Sequence, residues 1–175
     1  MNYYDELVRS MTWFGENTDS VVVGQGVKAG GHGMSNHFKN FPTERLVEFP
    51  VAEEFQMGWS LGYALRGKTV ISVYPRFNFL LLALNQLTNH LDKWPLITEN
   101  KSHPKVIVKV GVGSTSPLHP GHQHIGNFAK QFSELCPNMD VWTLDKSEDI
   151  FDTYQTVHNT PKSAIVIEFM EKYSS

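Results

Sequence analysis

Six short runs of apolar, mostly β-branched residues constrain this chain more than any other feature. They are Val21-Val22-Val23, Leu46-Val47-Glu48-Phe49, Val70-Ile71-Ser72-Val73-Tyr74, Val106-Ile107-Val108-Lys109-Val110, Val141-Trp142-Thr143-Leu144 and Ala164-Ile165-Val166-Ile167-Glu168. Most are near-continuously apolar. A strand covered on both faces reads this way, because side chains pointing up and down both meet a packed layer. Helical patterns lie between the runs. Leu7, Met11 and Phe14 make one stripe of a first helix. Further helices are predicted from about Ala52 to Leu65, Phe77 to Leu91, Gly126 to Leu135 and Ser147 to Val157, with Ser147 as an N-cap. Strands alternating with helices predict an α/β domain: three layers, α/β/α, around a mostly parallel six-stranded, doubly wound sheet.

The 175 residues suit one domain over 1–175, with the polar stretch Met170–Ser175 expected to fray. Composition excludes a disordered chain: 41% of residues are hydrophobic and 19% charged. A net charge of -3 gives no general attraction to nucleic acid or an anionic membrane, so neither is an expected partner. The single cysteine, Cys136, has no partner for a disulfide within the chain and reads as a packed small residue. No apolar run reaches the roughly 18 residues of a membrane span. The N-terminal MNYYDELVRS is polar and resembles no secretory signal, so a cytoplasmic location is the expectation.

Two long stretches follow strands and are candidates for function, since long loops in compact domains usually carry it. One is the glycine-rich Gly24–Pro42, the other Gly111–His124. Both should rise on one edge of the sheet, where ligands of open α/β folds gather. Gly24-x-Gly26 follows a strand, and Glu44 lies about 20 residues on, as in a dinucleotide fingerprint. No convincing helix starts there, and a plain loop is the other reading. His119, His122 and His124 could form a metal cluster, yet no Cys, Asp or Glu accompanies them in the loop. They could equally contact an anionic substrate or move protons. There is no Gly-x-Ser-x-Gly elbow and no phosphate-binding P-loop.

A third segment is Phe49-Pro50-Val51-Ala52-Glu53-Glu54-Phe55-Gln56-Met57-Gly58. Pro50 ends a strand, and Gly58 and Gly62 give the next helix a small face. Glu54 can point to solvent. By position alone, Glu53 serves the helix dipole at the N-terminus.

Glu44 to Glu53, followed by Gly58, Gly62, Ala64-Leu65 and Gly67, resembles the pyrimidine-binding domain of thiamine-diphosphate enzymes. Transketolases, deoxyxylulose-phosphate synthases and the beta subunits of 2-oxo acid dehydrogenase decarboxylating components share this domain. Phe77-Asn78-Phe79, Asn85-Gln86 and Asn89, then His124-Ile125-Gly126-Asn127-Phe128 and Cys136-Pro137-Asn138-Met139, continue the likeness from about residue 2 to 169. The resemblance implies that Glu53 hydrogen-bonds the cofactor's aminopyrimidine and favours the imino tautomer. That tautomer removes the thiazolium proton, and the cofactor then serves as electron sink. It further implies that Phe79 stacks on the pyrimidine, with Phe77 a second wall or core, and that His124, and less so His122, faces the substrate. Three features depart from the family pattern: Asn85-Gln86 stands where the family has Asp-Gln, Tyr74-Pro75-Arg76 is an unusual helix entry, and the loop around His119–His124 departs from the dehydrogenase beta pattern and leans towards the synthases.

The sequence holds no Gly-Asp-Gly with a downstream Asn, the family's diphosphate and magnesium motif. The resemblance therefore implies a separate diphosphate-domain partner that supplies the magnesium ligands, in an α2β2 assembly or around a homodimer core, while this chain holds no metal itself. The function so implied is the pyrimidine subunit of a split thiamine-diphosphate enzyme, a transferase or a decarboxylase, making or breaking a C–C bond beside a carbonyl of a small molecule. Two alternatives stand beside it: a non-catalytic binding relative of the same fold, or a metal-dependent α/β enzyme using the His119–His124 loop.

Overall fold

The computed structural model describes residues 1–116 and 119–174. Pro117 and Leu118, in the histidine loop, and Ser175, at the end of the tail, lie outside the described residues. The strands are β1 (Val21–Gly24), β2 (Leu46–Glu48), β3 (Val70–Tyr74), β4 (Val106–Val112), β5 (Asp140–Thr143) and β6 (Ala164–Phe169). They form one sheet in the order β2-β1-β3-β4-β6-β5, and every pairing is parallel. Side chains alternate along each strand and so feed two cores. Val70, Val106, Val108, Ile165 and Ile167 face one side, Ile71, Ile107, Ala164 and Val166 the other. The first core lies under α2 (Glu53–Ala64), α3 (Phe77–Leu80) and α5 (Ala129–Leu135), and the second under α1 (Tyr3–Asn17) and α6 (Ser147–Asn159). The predicted three-layer α/β/α arrangement is what is found.

Leu7, Met11 and Phe14, the stripe read from sequence, are fully buried on α1. Asn2 caps that helix, its Oδ1 accepting from the Asp5 N–H at 2.8 Å.

Four local expectations are corrected. The stretch from Phe77 to Leu91 is not one α-helix. It passes from α3 through a 3₁₀ turn, Leu81–Ala83, into a π-helical stretch, Gln86–Leu91. Its buried positions explain this: Phe77, Leu80 and Ala83 step by three, and Leu87 and Leu91 follow by four. A tight turn keeps the first three on the core side and a wider one the last two. Helix α5 starts at Ala129 and not at Gly126, whose N–H is committed to the Asn78 side chain at 3.1 Å. Ser147 is the first helical residue of α6. The extended cap position belongs to Lys146, with no side-chain cap bond. The polar tail is helical as far as Ser174. Met170–Ser174 is a 3₁₀ helix, and Tyr173 donates to Glu168 Oε2 at 2.7 Å. A short helix, α4 (Trp94–Ile97), had no counterpart in the sequence reading.

Candidate functional site

A parallel sheet delivers every strand's carboxyl end to one edge. There the segments after β1, β2, β3 and β4 meet around two adjoining clefts that share Gln25, Pro75 and Phe79.

The smaller cleft, about 20 Å3, is lined by Gln25, Pro50, Glu53, Gln56, Tyr74 and Phe79, among others. Glu53 is the first residue of α2 and is partly exposed. Ala52 before it offers no side-chain cap, so the first-turn carboxylates of Glu53 and Glu54 are what complement the helix dipole. Polar bonds beneath the cleft fix this helix end on β3. The Tyr74 hydroxyl donates to the Glu53 carbonyl at 3.2 Å, and the buried Gln56 amide donates to Val73 O at 3.0 Å and Ser72 Oγ at 3.1 Å. Glu54 is exposed, with the Asn85 and Gln86 amides each 3.5 Å away. The Asn85-Gln86 pair thus addresses Glu54.

The larger cavity, about 390 Å3, is lined by Gln25, Gly26, Gly30, Gly31, His32, Glu48, Pro75, Arg76, Phe79, Pro120 and His124. Glu48 organises its loop wall. Its carboxylate accepts from the Gly26 N–H, from Lys28 N–H at 2.8 Å and from Ala29 N–H at 3.0 Å. Gly26 takes a φ of 69°, which suits glycine. Burial pushes the Glu48 carboxyl up, but these three donors outweigh it and hold it below the ordinary carboxylate range. This answers the dinucleotide reading: amides that a phosphate would need are occupied by an internal carboxylate.

The sequence-derived site residues divide as follows. Glu53 and Phe79 share the small cleft, and Phe79 and His124 share the large one. The rings of Phe79 and His124 meet edge-on at 5.4 Å. His124 Nδ1 lies 2.9 Å from Pro120 O, so Nδ1–H donates and Nε2 is left as acceptor in the neutral ring. Gly113 permits this fold-back, since a Cβ there would collide with the His124 carbonyl. Phe77 is fully buried against Phe128 and Phe132 and belongs to the core. His122 is exposed, beside His119 at 5.2 Å, and lines neither cleft. Among the described residues no three of His, Cys, Asp or Glu are grouped to hold a metal ion. Burial pushes the Cys136 thiol up to about 12, as for a packed, unreactive side chain.

Sequence reasoning missed Arg76, His32 and Glu48 as cavity residues. Only the unusual helix entry Tyr74-Pro75-Arg76 hinted at one of them. It also missed a buried polar cluster behind the loop. The Lys109 ammonium pairs with Glu168 Oε1, which also accepts from Tyr154 at 2.8 Å. Burial pulls Lys109 well below its usual range.

The model of the transketolase pyrimidine-binding domain matches residues 8–174. The chain belongs to this family. Its fold is therefore that of the thiamine-diphosphate enzyme superfamily, the fold its residues resembled. A solved structure described as split gene transketolase, inactive beta4 tetramer, is similar to it, with a TM-score of 0.69 and 16% identity. The match covers 93% of this chain and 49% of that one, so this chain spans about half the length of its structural relative. No curated protein sequence matches it.

These comparisons correct the expected activity. The sequence reading made this chain the catalytic pyrimidine subunit of a transferase or decarboxylase. The structure it resembles is of an assembly described as inactive. The expectation of an active transferase or decarboxylase subunit is accordingly set aside.

Proposed function

We propose that this chain is a non-catalytic binding member of the pyrimidine-domain family, which receives the aminopyrimidine ring of thiamine diphosphate on one wall. The observation that carries this is the placement of Glu53 and Phe79 on one cleft at the carboxyl edge of the sheet. A carboxylate can accept from an aminopyrimidine, and a flat ring beside it supplies stacking area. The cleft is too small to surround the ring, so the ring would lie against it, with another chain closing the far side. The diphosphate and Mg2+ would then be held by a diphosphate-domain partner carrying Gly-Asp-Gly and a downstream Asn. The tetramer of beta chains in the structural relative supports self-assembly of this chain as its own contribution to such a complex.

The test is calorimetric titration of the purified chain with thiamine and, separately, with thiamine diphosphate plus magnesium. Both should bind at millimolar concentration with similar affinity, because this chain addresses only the ring. Glu53→Gln and Phe79→Ala should each weaken both at least tenfold, and 2-oxo acids and ketoses should show no turnover. Absence of saturable binding, or an unchanged affinity in Glu53→Gln, would overturn the reading. So would a far tighter diphosphate form, which would put the diphosphate site in this chain.

A further inference from the structure

The 3₁₀ helix after β6, Met170–Ser174, packs on the glycine-rich loop. A Cβ at Gly33 would stand 3.2 Å from Met170 Cε and 3.4 Å from the Tyr173 ring, so loop and tail touch. The Tyr173 ring also meets the His37 ring edge-on at 5.0 Å. Its hydroxyl donates to Glu168 Oε2 at 2.7 Å. The other oxygen of that buried carboxylate, Oε1, takes the Lys109 ammonium and the Tyr154 hydroxyl. Lys109 is on β4 and Tyr154 on α6, whereas Tyr173 is on a five-residue 3₁₀ helix. The Tyr173 bond is therefore the one that can break without opening the sheet or a long helix.

His37 stands against this bond. It is fully buried, and among the described residues neither ring nitrogen has a hydrogen-bond partner. Its Nδ1 lies 3.7 Å from Glu168 Oε2. The titratable groups around it are Tyr4 from α1, Lys109 from β4, Glu168 from β6, Tyr173 from the tail and His32 from its own loop. Burial first, then the Lys109 ammonium and His32, pull His37 well below the usual histidine range. A proton on His37 can be accommodated in two ways. The ring takes the Glu168 oxygen from the Tyr173 hydroxyl, or it leaves for water. Both break the hold of the tail on the loop, because a buried imidazolium without a partner is too costly to keep.

The loop is fixed at two points. Glu48 holds the Gly26, Lys28 and Ala29 amides at one, and the tail holds the turn Ser35–Phe38 at the other. Between them Gly30 and Gly31 take φ values of 82° and 114°, open to glycine alone at little cost. Gly30, Gly31 and His32 line the large cavity. We infer that Met170–Ser174 is an acid-released latch, in which Tyr173 clamps the loop at His37 and its release frees the Gly30–His32 wall. The latch does not rest on the thiamine reading. The open loop takes up a proton that the closed one refuses, so closure weakens as pH falls below the usual histidine range.

The experiment is hydrogen exchange of the full chain from about pH 7.5 to about pH 5.5, expressed as protection factors so that the intrinsic pH dependence of exchange drops out. The Ser35, His37, Lys39 and Phe41 amides each donate to a carbonyl three residues back in the loop. Their protection should fall about tenfold, as for one proton taken up on opening about one pH unit below the free histidine value. The Gly26, Lys28 and Ala29 amides, held by Glu48, and those of β4 should not change. Tyr173→Phe keeps the ring and removes the hydroxyl, and should lower protection of the same four amides at least tenfold at neutral pH. His37→Phe keeps a ring and removes the titration, so the acid response should vanish. Should His37→Phe not fold, the pH profile of the parent and Tyr173→Phe decide. Protection in the parent that is independent of pH, or unchanged in Tyr173→Phe, would overturn the proposal. So would an acid response that persists in His37→Phe, which would belong to His32, or an equal loss of protection in β4, which would be global unfolding.

Discussion

Glu48 occupies the last position of a three-residue strand and is exposed, yet it carries the loop that walls the large cavity. Three N–H groups converge on one carboxylate, and each is a charge-assisted bond. Glu48→Gln keeps the shape but turns one acceptor into a donor facing those amides. The expected cost is about 1 kcal/mol, because the site is open to water. The sharper readout is hydrogen exchange: the Gly26, Lys28 and Ala29 amides should exchange faster in the variant, with β3 and β4 unchanged. The pH dependence has a definite sign. The folded carboxyl lies below its ordinary value, so its contribution is complete above the unfolded pKa and lost as pH falls through the lower, folded one. Protection of these amides should therefore decline only in acid below the usual carboxylate range. Equal exchange in the two proteins at neutral pH would remove Glu48 from this role. Glutamate at the end of an apolar run gave no sign of this partnership in the sequence, because its three donors lie 19 to 22 residues away.

Among the elements, strands were legible and helix ends were not. An apolar run of four to seven residues between breakers has one good home in an α/β domain, and β3 runs from Val70 to Tyr74 as read. The charged residues within such runs were not legible. Lys109 and Glu168 share the face of their strands that meets α6, and only the fold brings them together. Helix ends depend on partners distant in sequence. The C-terminus of α6 is one: Lys105, at the foot of β4, donates to the carbonyls of Val157, Thr160 and Lys162. A lysine there satisfies carbonyls that have no partner within the helix and opposes the negative end of its dipole. Burial draws this ammonium down to about 8. Lys105→Met keeps the aliphatic stem and removes the donors. It should cost roughly 1–3 kcal/mol, as for a polar group left unpaired when its partner is lost. A thermal melt checks the total, and hydrogen exchange at the end of α6 checks the place. A melting point equal to the parent's would show that water serves those carbonyls as well.

For the whole molecule, the family was legible because Pro50, Glu53, Gly58 and the later blocks keep their order along the chain. The cavity was not, since Arg76, His32, Glu48 and His124 come from four separate segments of the chain. An exposed apolar patch around the start of α2 belongs to this scale too. Val51, just before α2, is 68% exposed, Phe55 on α2 61%, and Leu82 on the 3₁₀ turn packed against that helix 64%. Single exposed apolar residues need no explanation, but several on adjoining elements mark an interaction surface. Under the self-assembly proposed above, the occupant is a second copy of this chain. Light scattering after size exclusion should then give a mass that is a multiple of 19.9 kDa. Phe55→Glu with Leu82→Glu should shift it to the monomer, because two carboxylates buried without partners cost several kcal/mol in a contact. Both side chains are largely solvent-exposed, so the variant's melting curve should match that of the isolated monomer. A parent that is monomeric at every concentration would overturn self-assembly. If that monomer bound a diphosphate-domain chain and the double variant did not, the patch would belong to that partner. An oligomer indifferent to both glutamates would place the contact between copies on another face.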